Sequence, residues 1–234
     1  MIWLWLIFFS ALPLWPATVS GRVELRDSRD PAVRKRLDYS GVVVSLKPVQ
    51  GAAGVRAATL VTMLQKDKTF SPQVLPISVG TSVQFPNADP IFHNAFSSYN
   101  GQLFDVGLYP PGSTRSVRFT REGVVRVFCN IHSSMSAVIV VLGTPYFAAT
   151  GHDGSFEIPN VPPGEYQLAV FHKRATEATL KELERRITVE PGAPALPALN
   201  ISEAGFLTIP HKNKYGRAYP PDSDENSVYP AVRK

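Results

Sequence analysis

Hydrophobic and polar positions alternate along much of this chain. Val125, Val127 and Cys129 alternate with Arg126 and Phe128, the two-residue period of a half-buried strand. Residues 137–141 are a continuous apolar, mostly β-branched run, which predicts a buried strand. The loop 129–135 therefore joins two strands, and its ends are fixed by rigid elements. Further runs predict strands at 21–25, 41–46, 59–64, 77–85, 116–119 and 187–189, and short strands within 101–109, with 65–70 as a connecting loop. Asp153-Gly154 lies between alternating runs and predicts a hairpin with a type I′ turn, which needs positive φ at both central positions. Residues 26–31 read as a charged turn or loop, and 175–186 fit either a short helix or a loop. Helical periodicity is otherwise scarce, so the chain is expected to be all-β.

A length of 234 residues bounds the chain to one or two domains with extensions. The net charge of +5 is spread out, with no basic stripe interleaved with aromatics, which argues against a nucleic-acid surface. It suits solubility and steering toward an acidic partner. Residues 1–20 carry no charge, and the apolar run 2–9 is too short to span a membrane but fits an export leader, cleaved after Ala17 or Ser20. That leader lacks the usual basic start. Export to an oxidising space is consistent with a single cysteine, Cys129, which can form no disulfide within the chain. Residues 191–197 read as a linker, and the end of the chain, from 211, is rich in Tyr, Pro and charge, which predicts a poorly ordered or partner-docking tail.

The candidate chemistry lies in the loop Cys129-Asn130-Ile131-His132-Ser133-Ser134-Met135, which carries a thiol, an imidazole and a thioether, with a second imidazole upstream at His93. Two His, one Cys thiolate and a weak axial Met suit copper in electron transfer, whereas zinc sites use Cys, His and carboxylate. At these residues the chain resembles the cupredoxins, the blue copper proteins, with the Cys-to-His-to-Met spacing of the amicyanin type. Ser133 and Ser134 replace the Pro and aromatic residue of that type's loop. The resemblance implies a Greek-key β-sandwich holding one type 1 copper ion on His93, Cys129, His132 and Met135. It also implies that Asn94, directly after the first His, ties the two ligand loops together and tunes the Cys sulfur. Phe92, Phe96, Phe104, Phe119 and Phe128 are read chiefly as core. A Cys129 nucleophile served by His132 is the competing reading; it requires an oxyanion site, and no Gly-rich turn or helix start marks one beside Cys129. Covalent haem needs two cysteines. His152 and His172 are read as structural or exposed.

A different signature follows: 146–158 and 161–170 resemble the second half of a carboxypeptidase regulatory-like module, a transthyretin-like β-sandwich. Its opening strands resemble 19–23 and 41–46, about a hundred residues before the Asp153-Gly154 turn. The expected organisation is a leader, 1–20; a copper domain, 57–142, inserted into a smaller sandwich made of 21–56 and 143–198; and a tail, 199–234. Insertion at an exposed loop is tolerated because closure entropy grows slowly with loop length. The competing organisation is two consecutive domains, with 21–46 as the first cupredoxin strands. The partners of 41–46 distinguish them. No His-Glu-x-x-His motif occurs, and the module's fold does not imply peptidase activity.

These readings converge on a periplasmic or secreted, non-enzymatic carrier of single electrons. Its partner would be a redox protein, a dehydrogenase or cytochrome, and the mature chain would have no membrane span. The alternative is a copper-binding or structural recognition module without redox turnover. An oxidase would need additional His-x-His copper sites, and the sequence has none.

Overall fold

The computed structural model describes residues 15–51, 53–54, 59–98, 101–207 and 210–219. These described residues are all-β apart from two short helices, and their strands form two layered sheet pairs, each around its own core.

The first pair is built within residues 60–142. Its larger sheet runs β6 (Val74–Ser78), β12 (Ser136–Leu142), β11 (Gly123–Phe128), β8 (Phe96–Ser97), β9 (Phe104–Asp105). The smaller runs β10 (Thr114–Arg118), β7 (Ser82–Pro86), β3 (Leu60–Thr62), with a separate hairpin of β4 (Leu64–Lys66) and β5 (Thr69–Ser71). Met63, Phe85, Phe119, Val125 and Ile139 fill the space between them. Along β12, Ala137, Ile139 and Val141 enter this core, while Val138 and Val140 pack with Val43 and Val74 against the second sheet pair. A strand buried on both faces needs a continuous apolar run, which is the physical origin of the unbroken 137–141 pattern.

The second pair sets β14 (Ser155–Val161), β1 (Ala17–Arg26) and β17 (Leu199–Ser202) against β13 (Phe147–Ala149), β2 (Val43–Pro48), β15 (Gly164–Phe171) and β16 (Arg185–Val189). Val42, Val44 and Leu46 enter its core. β2 is antiparallel to β13 and to β15, and among the described residues it pairs with no strand of the first sandwich. Helix α1 (Pro31–Arg36) is capped by Asp30, whose carboxylate accepts from the Ala32 N–H. Helix α2 (Glu177–Leu183) resolves the ambiguous stretch before β16.

Several boundaries differ from the sequence reading. Residues 1–14 of the expected leader lie outside the described residues, but 17–20 are the start of β1, paired with β14, with Ala17 and Val19 buried. The expected tail begins with β17, which runs parallel to β1 from Val23↔Leu199 to Arg26↔Ser202. Asp153-Gly154 is not a hairpin: β13 pairs with β2 and β14 with β1, so the chain crosses between sheets there. Of the two, only Gly154 has positive φ; a Cβ on it would collide with the Val23 carbonyl oxygen, and the Val23 N–H donates to the Gly154 carbonyl at 2.9 Å. The stretch 65–70 is not a plain loop either. It holds the β4–β5 hairpin, whose turn residues Asp67 and Lys68 both have positive φ (53° and 52°).

Candidate metal centre

The β11–β12 ladder ends at Phe128↔Ser136, and the seven intervening residues close on themselves through Cys129 N–H to Met135 O and Met135 N–H to His132 O, both 3.2 Å. This tight closure puts the Cys, His and Met of one short loop at one end of the first sandwich. His93 arrives from the segment after β7, where its N–H and carbonyl exchange hydrogen bonds with Tyr109 at 3.2 and 2.9 Å.

The side chains converge. Cys129 Sγ lies 3.9 Å from His93 Nδ1 and 3.6 Å from His132 Nδ1, and all three donor atoms lie within 4.8 Å of one another. With metal–sulfur near 2.3 Å and metal–nitrogen near 2.0 Å, a trigonal centre separates S and N by about 3.7 Å. The two observed S···N distances bracket that value. His93, Cys129 and Met135 are fully buried and His132 is half-buried. This is a ready-made cluster for a metal ion.

Burial pushes the Cys129 thiol up, while the N–H groups of Ile131, Asn94 and His132 pull the other way. The net rise does not suit a free nucleophile, which needs a depressed thiol; a bound cation displaces the proton instead. The residues present therefore fit a thiolate-bound metal.

A layer of polar side chains fixes the donors. The Asp89 carboxylate meets His93 Nε2 at 2.7 Å, in a pair buried on both sides. Its two oxygens also accept from the Asp67 N–H (2.6 Å) and Lys68 N–H (2.9 Å), the two left-handed residues of the β4–β5 turn. Burial alone would raise the Asp89 carboxyl, but the Lys68 N–H, the His93 ring and the Asp67 N–H hold it below the usual range. Tyr109 donates to Gln65 Oε1 (2.6 Å), and Gln65 Nε2 donates to the Asn94 carbonyl (3.2 Å).

Asn94 does not reach the Cys129 loop through its side chain. Its amide donates to Asp105 Oδ1 (2.8 Å) and the Gly107 carbonyl (2.9 Å), and it acts on the sulfur through its backbone N–H. The tie between ligand loops continues through the end of the chain: Lys214 Nζ reaches Asp105 Oδ2 at 2.7 Å, and the Lys214 N–H donates to Asn130 Oδ1 at 3.0 Å. The same segment stacks His211 on Phe128 (centroids 4.1 Å), donates from His211 Nε2 to the Ser133 carbonyl (2.8 Å), and donates from the Tyr219 hydroxyl to the Cys129 carbonyl (2.8 Å). Residues 211–219 are thus a strap on the ligand loop rather than a loose tail. Asp89 carried a sequence signal, a carboxylate four residues before a candidate ligand between Pro86 and Pro90; the strap carried none.

His152 is exposed in the turn, and His172 is buried against Glu203, remote in contacts from the cluster. No helix among the described residues is long and apolar enough to cross a membrane.

No family model and no curated protein sequence matches the chain. Among solved structures it is similar to the purple cupredoxin of Nitrosopumilus maritimus, at 28% identity over 35% of this chain and 99% of that one, TM-score 0.32. It is also similar to amicyanin from Paracoccus versutus, at 17% identity over 42% of this chain and 97% of that one, TM-score 0.33. A third likeness is to the copper-containing nitrite reductase of Thermus scotoductus, at 25% identity over 51% of this chain and 28% of that one, TM-score 0.35. These TM-scores are too low to decide the chemistry, which has to come from the donor set.

Proposed function

We propose that the protein is a type 1 copper protein that carries single electrons between redox partners and is not itself an enzyme. The observation that carries this reading is the buried Sγ, Nδ1, Nδ1 cluster of Cys129, His93 and His132, closed by a loop whose last residue is the buried Met135. Cys129, His93, His132 and Met135 would hold the ion, with the Met135 thioether as the weakest donor, a set that suits copper over zinc. Bound there, copper supplies one-electron cycling between Cu(II) and Cu(I).

The chain's own residues supply rigidity and access. The Tyr109, Gln65 and Asn94 hydrogen bonds hold the His93 segment, and the Phe and Val core around Cys129 keeps water from the sulfur. His132, half-buried, is the edge through which an electron would pass. Phe92 and Leu108, both exposed, flank the His93–Tyr109 bridge and offer a partner an apolar landing, while the net charge of +5 favours an acidic one. In domain terms the copper unit is read as an insertion in a transthyretin-like sandwich, because β1 and β2 find their partners at 147 and beyond. Export to the periplasm or beyond accords with the apolar start of the sequence and the single cysteine.

The test is Cu(II) loading of the purified protein. An intense visible thiolate-to-copper band, lost on reduction, is expected; a colourless complex with Cys129 still titratable as a thiol would sink the reading. Met135→Leu should keep the copper and raise the potential, since a near-isosteric core exchange preserves the loop while removing a weak donor. Equal copper loss in Met135→Leu and Cys129→Ala would exclude an axial role for Met135.

A further inference from the structure

We propose that Asp89 is the positioning residue of His93: its carboxylate keeps the imidazole proton on Nε2, leaves Nδ1 as the donor atom facing Cys129, and lowers the potential of the centre. The assignment of potential rests on the copper reading above; the assignment of the proton does not.

A neutral imidazole carries one proton, and the hydrogen bond made by one ring nitrogen decides which nitrogen keeps its lone pair. His93 has a carboxylate 2.7 Å from Nε2, which can only accept, and a sulfur 3.9 Å from Nδ1. The proton therefore belongs on Nε2, and the lone pair belongs on the side of the cluster. A carboxylate accepting the Nε2–H hydrogen bond also makes the opposite nitrogen a stronger donor.

Asp89 is built to do this without moving. Its oxygens accept from the Asp67 and Lys68 N–H groups, and its own N–H donates to Asn87 Oδ1 at 3.0 Å. Asn87 in turn donates to the Ile91 carbonyl at 2.8 Å, closing the loop that carries both Asp89 and His93. Asp89 is 6% exposed and has no Lys or Arg partner among the described residues. Its negative charge thus has little water around it and no cation partner among the described residues. A fixed anion in such surroundings stabilises the more positive oxidation state over the less positive one.

The experiment compares wild type, Asp89→Asn and Lys68→Gly. In Asp89→Asn the shape is retained and the charge removed; the ratio of Cu(II) to Cu(I) affinity should fall about tenfold, a rise in potential of about 59 mV for one electron, with the thiolate band retained. Lys68→Gly relaxes the left-handed turn that Asp89 also caps while keeping its N–H, and should leave the potential where it was. An unchanged potential in Asp89→Asn, or an equal rise in Lys68→Gly, would overturn the tuning role. Nitrogen-resolved NMR of the metal-free wild type reads the proton directly and does not depend on any variant folding: a slowly exchanging Nε2–H on His93 is expected, and a proton on Nδ1 would overturn the assignment. If wild type shows no thiolate band, the copper reading and the tuning of its potential fail together, and the NMR result still decides which nitrogen of His93 Asp89 keeps protonated.

Discussion

Each sandwich buries one histidine against one carboxylate, and the two pairs have almost the same geometry. His93 Nε2 lies 2.7 Å from Asp89 in the first, and His172 Nε2 lies 2.8 Å from Glu203 in the second. The differences lie in what surrounds them. Glu203 also receives Arg174 on both oxygens (3.0 Å each) and the Ser28 hydroxyl (2.7 Å), so its charge is taken up locally, and Arg174 continues to Asp30. Asp89 receives only neutral N–H donors besides the imidazole. The free ring nitrogen differs as well: Nδ1 of His93 faces a thiol, whereas Nδ1 of His172 is buried without a partner. A buried histidine–carboxylate pair is therefore a structural part that becomes chemical only when the second nitrogen has a donor set to join.

The sharpest separation of the two pairs is metal-linked stability. Cu(II) should raise the melting temperature of wild type and of His172→Gln, and the increment should vanish in Cys129→Ala and His93→Ala, because a ligand stabilises only the state that binds it. Scanning calorimetry with and without Cu(II) reads this; an increment surviving in His93→Ala would break the comparison. Next in size is Glu203→Ala, which strands Arg174 and His172 and should cost about 3 kcal/mol in denaturant unfolding while leaving copper uptake intact.

Acid should then expose the second pair in two stages. Burial lowers His172 from its ordinary 6.5, outweighing Glu203, so the unfolded chain takes up that proton first and stability begins to fall as pH drops below about 6.5. Burial would raise Glu203, but hydrogen bonds from His172, Arg174 and Ser28 bring it to about 2 from 4.5. Its contribution is therefore complete above pH 4.5 and is lost as pH falls toward 2. Denaturant midpoints across this range check both stages; Glu203→Gln should flatten the lower one. The smallest effect concerns the strap. Tyr219→Phe removes the hydroxyl's hydrogen bond to the Cys129 carbonyl and its contact with His211 Nδ1 and should cost about 1 kcal/mol, read as faster amide exchange in residues 129–135 and no change at β2.

What was legible in the sequence follows from locality. Cys129 and His132 share one short loop between two strands, so their convergence needed little more than spacing. The two-sided burial of β12 was legible in its unbroken apolar run. The Asp67-Lys68 turn was not, because Asp67 tolerates positive φ but Lys68 does not favour it; the carboxylate of Asp89, about twenty residues on, accepts both turn N–H groups. The opposite error arose at Asp153-Gly154, where suitable turn residues serve a crossing between sheets. The strap and β17 were hidden for the same reason: their partners, Asn130, Cys129 and β1, lie about 80 to 180 residues away, beyond any periodic signal.

The strand partners also dictate a timetable for synthesis. β1 and β2 leave the ribosome early, yet β13, β14 and β15 begin only at 147 and β17 at 199. At about 5–20 residues per second the wait is on the order of ten seconds. During that interval the apolar edges of β1 and β2 are unpaired, while every strand of the 60–142 sandwich finds its partner within its own stretch. The nascent chain must therefore finish its middle before its beginning, and whatever slows the middle prolongs the exposure of two aggregation-prone edges.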